Sequence, residues 1–226
     1  MGNRAVITDS QKQIAIYLHW NGGRDSVEGF LEYARLKGVR SPKNDPPYAL
    51  ARLTQIIGNF LGGTLSLGIV PYEEMYADNG DNGAYIVGDD WKIVGREFFD
   101  GKEQCEYSLA KALEAIDKAQ PEKERLGEDF LTAEVVPVSA LEIGDTVTFV
   151  EEFSDGVQTA RVIGRGEVRL VNGQSVYDVP YTDRYGDKPE ENINNYLLDQ
   201  TARRVVKKAD AQTPEPPAVS DENTAQ

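Results

Sequence analysis

Disulfides, zinc clusters and histidine-based catalysis have little to draw on in this chain of 226 residues, which holds one cysteine and one histidine. Cys105 alone can form neither an internal disulfide nor a cysteine-ligated metal cluster. His19 lies in a strand-like stretch and no G-x-S-x-G elbow occurs, so a nucleophilic triad has no support. The carboxylate pairs Glu73-Glu74 and Glu151-Glu152 are adjacent, and neighbours on a strand point to opposite faces, which suits acid/base work poorly. Neither G-x-G-x-x-G nor G-x-x-x-x-G-K-[ST] is present, and no cofactor is expected. No apolar run approaches the roughly 20 residues of a membrane span, and no signal segment opens the chain, so a cytoplasmic location is the expectation. These absences leave the catalytic and metal-ligating sets empty.

What is present is acidic and unevenly distributed. The net charge of −14 comes from 24 basic and 38 acidic residues. Residues 1–70 carry eight basic and five acidic side chains, whereas residues 71–106 carry three basic and ten acidic. General acidity argues against direct nucleic-acid binding. A local acidic face can instead imitate nucleic-acid phosphate towards a basic partner, and Asp78, Asp81, Asp89 and Asp90 are the candidate partner-binding residues. The run Asp78–Gly83 lacks the bidentate glutamate and flanking helices of a calcium loop and reads as a turn.

Around the stretch from Lys12 to Gly38 the remaining pattern is built. Ile14, Ile16 and Leu18 alternate as a strand, Asn21-Gly22-Gly23 breaks it, and Val27, Phe30, Leu31 and Ala34 follow a helical stripe. Asp25 with Glu28 three residues on forms an Asp variant of the capping box. Upstream, Arg4–Thr8 reads as a first strand in a hairpin. Downstream, Asp45 followed by Pro46 starts a second helix that Gly62-Gly63 ends. Strands at 64–70, 84–87 and 91–99 complete an α+β unit over residues 1–106, expected as an antiparallel sheet with two or three helices on one face. Residues 107–132 read as a helical connector whose stripe is Leu109, Ala112, Leu113 and Ile116. From residue 133 to 200, short alternating strands and the Gly144-Asp145-Thr146-Val147-Thr148-Phe149 pattern resemble a small SH3-like β-barrel. Residues 209–226, with three prolines and no aromatic residue, read as a disordered acidic tail.

The densest group of functional side-chain types is His19, Trp20, Asn21, Gly22, Gly23 and Arg24. A strand-to-turn-to-helix junction offers N–H groups at a positive helix end, suited to a small nucleotide-like anion. In that reading Arg24 grips the anion, Trp20 stacks and His19 exchanges a hydrogen bond. The alternative is a tight turn and a capped helix, with His19 and Trp20 filling the sheet edge.

Four blocks, GNRAVIT at the start, IYLHWNGGRDSVEGFL, DNGDNGAYIV and YDVPYTDRYG, together resemble an uncharacterised protein family of phages and mobile elements of Gram-positive bacteria. The likeness covers most of residues 2–200 and carries no catalytic or binding residue with it. It implies an accessory protein in the cytoplasm of a bacterial host, with anti-defence activity through non-catalytic binding. The partner so implied is a host protein, such as a nucleic-acid-binding defence effector, with sequestration of a small anionic ligand as the alternative.

Overall fold

The computed structural model describes residues 2–63, 66–75, 81–150, 157–162, 167–171, 174–180, 193–197 and 201–206; Asp78 and the tail 209–226 lie outside them. Alternating apolar residues at Ala5–Asp9 (β1) and Ile14–Leu18 (β2) close an antiparallel hairpin with Ile7 opposite Ile16. One side of it, with Ile7, Ile16 and Leu18, is covered by helices Arg24–Leu36 (α1) and Pro46–Leu61 (α2). Asp45 caps α2 by accepting the Tyr48 N–H, and Gly62 ends it in the left-handed conformation that glycine takes without steric cost. Leu67–Pro71 (β3) then pairs antiparallel with the outer edge of β2.

Ala84–Val87 (β4) and Ile93–Glu97 (β5) extend the other edge, giving the order β3-β2-β1-β4-β5. Here the expected antiparallel sheet needs correction. β1 and β4 run parallel, with Val6 beside Ala84 and Asp9 beside Val87, so the sheet is mixed. Both β1 and β3 are antiparallel to β2 and share a direction. The connection from Pro71 to Ala84 returns the chain to the starting end before β4 begins, as parallel neighbours require. Tyr72 and Met75 of that connection pack on Val6, Ala15 and Ala84, covering the side of the sheet that the helices leave open.

Leu109–Ala119 (α3) runs alongside α1 in the same direction. Gly29 permits the approach, because a Cβ there would lie 3.0 Å from the Ala112 methyl. One turn on, the Tyr33 hydroxyl donates to Asp117 at 2.7 Å. That buried carboxylate also accepts the N–H groups of Leu126 (2.6 Å) and Gly127 (3.1 Å), fixing the chain after α3. Gln120, also buried, donates to the Ile56 and Ile116 carbonyls and accepts from Asn59, tying α2 to α3. The short helix Glu128–Leu131 (α4) buries Phe130 in the same core as Leu126. The stretch 107–132, which reads as a connector, thus contributes Ile116, Leu126 and Phe130 to the same apolar core as α1 and α2.

Beyond it lie Glu134–Pro137 (β6), Thr146–Val150 (β7), Val157–Arg161 (β8), Glu167–Val171 (β9), Gln174–Pro180 (β10), Ile193–Leu197 (β11) and Thr201–Arg204 (β12). They form two antiparallel sheets, ordered β6-β12-β7-β8 and β11-β10-β9. Val138, Val147, Val162 and Ala202 make a second, smaller core. Val150 and Val157 pack on the first core, and the Arg203 guanidinium lies 4.7 Å from the centre of the Phe130 ring. Among the described residues no helix is long and apolar enough to cross a membrane.

Candidate functional site

One end of the five-stranded sheet collects the approach to β1, the exit of β2, the entry to β4 and the exit of β5. The residues there are Asn3 and Arg4, His19 and Trp20, Asp81 and Asn82, and Phe98. Backbone bonds from Asn3 to the His19 carbonyl and from Asn82 to the Arg4 carbonyl carry the ladder past the strand ends. Arg4 donates through Nε to Asp81 at 2.7 Å and through its N–H at 3.0 Å, and these bonds hold the Asp81 carboxyl below the usual carboxylate range.

The turn after β2 is pinned from several directions. Asn21 takes a positive φ of 57°, a conformation asparagine tolerates better than most residues. Gly22 donates to the Asn3 carbonyl at 2.8 Å and accepts from the buried Tyr85 hydroxyl at 3.0 Å. No larger residue fits at Gly22, because a Cβ would stand 2.6 Å from the Arg4 carbonyl carbon and the Asn3 oxygen. His19 pairs through Nδ1 with the Tyr17 hydroxyl at 3.0 Å and meets Trp20 edge-on, ring centres 5.1 Å apart. Trp20 itself is 44% exposed.

Arg24 opens α1 and is enclosed by carboxylates. Its Nε donates to Glu28 at 2.7 Å and a terminal nitrogen stands 3.1 Å from Glu103. Burial works against its charge, but the bonds to Glu103 and Glu28 outweigh burial and leave its pKa above the ordinary arginine value. Glu103 also accepts two bonds from Arg96, whose side chain is 10% exposed. The Arg96 guanidinium lies between the Tyr85 and Phe99 rings at 3.8 and 3.9 Å, a doubly stacked cation. Burial, countered in part by Arg96, pushes the Tyr85 phenol up to about 12. Tyr107 donates to Glu28 and closes the network.

The start of α1 differs from the capping box expected of Asp25 and Glu28. Gly23 is the N-cap, with no side-chain cap, and the Asp25 carboxylate turns back on the Ser26 N–H at 2.7 Å. Glycine makes room for this, since a Cβ at Gly23 would lie 2.7 Å from that carboxylate oxygen. The first-turn donors are engaged inside the molecule: Asp25 N–H faces Gln104 Oε1 at 3.4 Å and Val27 N–H reaches the Gly23 carbonyl.

No protein-family model, curated protein or solved structure matches this chain. The geometry therefore stands alone, and it divides the candidate residues. His19, Trp20, Asn21, Gly22, Gly23 and Arg24 are contiguous, with His19 near enough to Asp81 to act on its charge and Arg24 turned to Glu28 and Glu103. Asp89 and Asp90 lie at the opposite end of β4, paired with Lys43 at 3.0 Å and Lys92 at 2.7 Å. Lys92 holds the Asp90 carboxyl below its usual range. The acidic residues of 71–106 are thus spread over two ends of the sheet, and Asp78 lies outside the described residues. Among the described residues no group of three His, Cys, Asp or Glu side chains could hold a metal ion.

Sequence reasoning missed Arg4, Arg96, Glu103 and Tyr107. Their partners are remote in the chain, and only the β4–β5 register, with Tyr85 opposite Arg96, brings the stacked guanidinium into view. Phe98 was missed as well. It is 55% exposed with φ of 55°, a strained conformation for a bulky residue, and its carbonyl packs against Gly83.

Proposed function

We propose that this chain is a non-catalytic binding protein, of phage or mobile-element kind, that engages a host protein in the bacterial cytoplasm with Trp20 as its anchor. The observation carrying this reading is a half-exposed tryptophan on a turn fixed by Asn3, Tyr85 and the Arg24 carboxylate pairs. Tryptophan dominates binding energy at protein interfaces, and an anchor already held in place loses little entropy when it docks. Phe98 stands three strand spacings away across the sheet end, roughly 14 Å, as a second apolar contact. The net charge of −14 favours a basic partner, in keeping with a nucleic-acid-binding defence effector as the target.

A small anion at the His19–Arg24 turn is the weaker reading, because Arg24 already faces two carboxylates and the α1 donors are taken. For the C-terminal part, the Gly144-Asp145 turn into β7 and the antiparallel order of both sheets support the SH3-like barrel reading.

The test is affinity capture from host lysate with the tagged protein and its Trp20→Ala variant, both verified as folded by circular dichroism. Proteins retained by the wild type and lost from the variant are expected. An identical set on both would remove Trp20 as the anchor, and the sheet end with it.

A further inference from the structure

Away from the sheet end, α1 and α3 leave a cleft of about 310 Å³ between them, walled by Phe30, Phe60, Ala112, Ala115 and Ile116. Its volume falls at the lower limit of small-molecule pockets and has room for about ten heavy atoms at the roughly 30 Å³ each occupies in a liquid. Phe30 and Phe60 meet edge-on there with ring centres 5.2 Å apart, giving an apolar inner wall.

The rim is polar and electrically lopsided. Because α1 and α3 run parallel, both positive helix ends lie at this mouth. On the α1 side Asp25 offsets its own helix in the first turn. On the α3 side the first turn has no acidic residue and carries Lys111 instead, a cation at the helix end where cations are least favoured. Lys111 has no ion-pair partner among the described residues, and it lines the cleft together with Asp25, Ser26, Tyr107 and Ser108. The site thus offers an apolar body cavity with a cation, Lys111, on the α3 side of its mouth and a carboxylate, Asp25, on the α1 side.

We propose that this cleft binds a small apolar monocarboxylate, arylalkyl or short-chain acyl, with its hydrocarbon against Phe30, Phe60 and Ile116 and its carboxylate at Lys111. Asp25, across the mouth, disfavours a second negative group and so restricts the ligand to monoacids. This site is independent of Trp20, and the two readings can fail separately.

Calorimetric titration of the full chain with phenylacetate, hexanoate, phenylacetamide and phenethylamine tests the assignment. Saturable binding of one or both acids is expected, with the amide and the amine weaker by tenfold or more. Lys111→Met should weaken acid binding about tenfold, the equivalent of 1.4 kcal/mol. Ala115→Phe, at an exposed position on the cleft wall, should abolish it, while Asp25→Asn should leave it unchanged or tighter. Absence of acid binding in the millimolar range, equal binding of phenylacetamide, or indifference to Ala115→Phe would each overturn the proposal. Tighter binding of phenethylamine, lost in Asp25→Asn, would overturn the sign of the head group.

Discussion

Asp117 shows how much a single buried carboxylate can fix. It accepts from the Tyr33 hydroxyl and from the N–H groups of Leu126 and Gly127, so three donors depend on it. Asp117→Ala strands them in a dry interior, and the expected cost is about 2–4 kcal/mol, seen as a lower urea midpoint with an unchanged slope. Tyr33→Phe removes one bond and leaves the other two, at about 1 kcal/mol. Gly22 acts through space rather than bonding. Gly22→Ala forces a methyl onto the Asn3–Arg4 backbone, with an expected loss of about 1–3 kcal/mol in the same urea assay. It should also displace the Trp20 turn and weaken partner capture.

Strand β5 carries an electrostatic clamp that responds to pH. Glu97 accepts from Lys12 across one side of the sheet and from Tyr72 at 2.8 Å, and those bonds lower its pKa, Lys12 first. A carboxylate depressed in the folded state stabilises the fold above its unfolded pKa of about 4.3, and the contribution disappears as pH falls through the folded value. Tyr72 moves oppositely. Burial, then Glu97, pushes its phenol up to about 12, so its contribution is complete below the unfolded pKa of about 10 and is lost as pH rises through the folded value. Melting temperature should therefore fall at both extremes, and Glu97→Gln should flatten both limbs. An acid limb as steep in Glu97→Gln as in the wild type would show that other carboxylates govern it. The sequence made β1, β2, α1 and α2 legible because their periodicities and the Asp45-Pro46 start are local. It left out the direction of β4, since alternation is blind to whether a neighbour runs parallel. Of the two carboxylates on Arg24, Glu28 is a local i,i+4 neighbour, whereas Glu103 was hidden because it arrives from a loop with no period at all. At the candidate site the contiguous block His19–Arg24 was readable, whereas its role as a braced turn depends on Asn3, Tyr85 and Arg96.

For the molecule as a whole, the shared core decides how the chain comes apart. Ile116, Leu126 and Phe130 lie with the α1 and α2 residues, and Gln120 and Arg125 bond the chain that follows α3 back onto it. Limited proteolysis should accordingly cut slowly between Gln120 and Ala133, and α3 should melt with the five-stranded sheet. Early cleavage there, leaving a folded fragment of residues 1–106, would instead mark 107–132 as a true linker. The parallel β1–β4 pair has a further consequence, for synthesis. Strand β1 leaves the ribosome before the other strands of its sheet and becomes the middle of it, yet one of its edges stays bare until residues 84–87 follow it out. At about 5–20 residues per second that is several seconds or more with an apolar strand edge unpaired. A message truncated between Leu61 and Ala84 thus yields a hairpin and two helices with an adhesive strand along one side, a product for chaperones and proteases rather than for the ordered sheet.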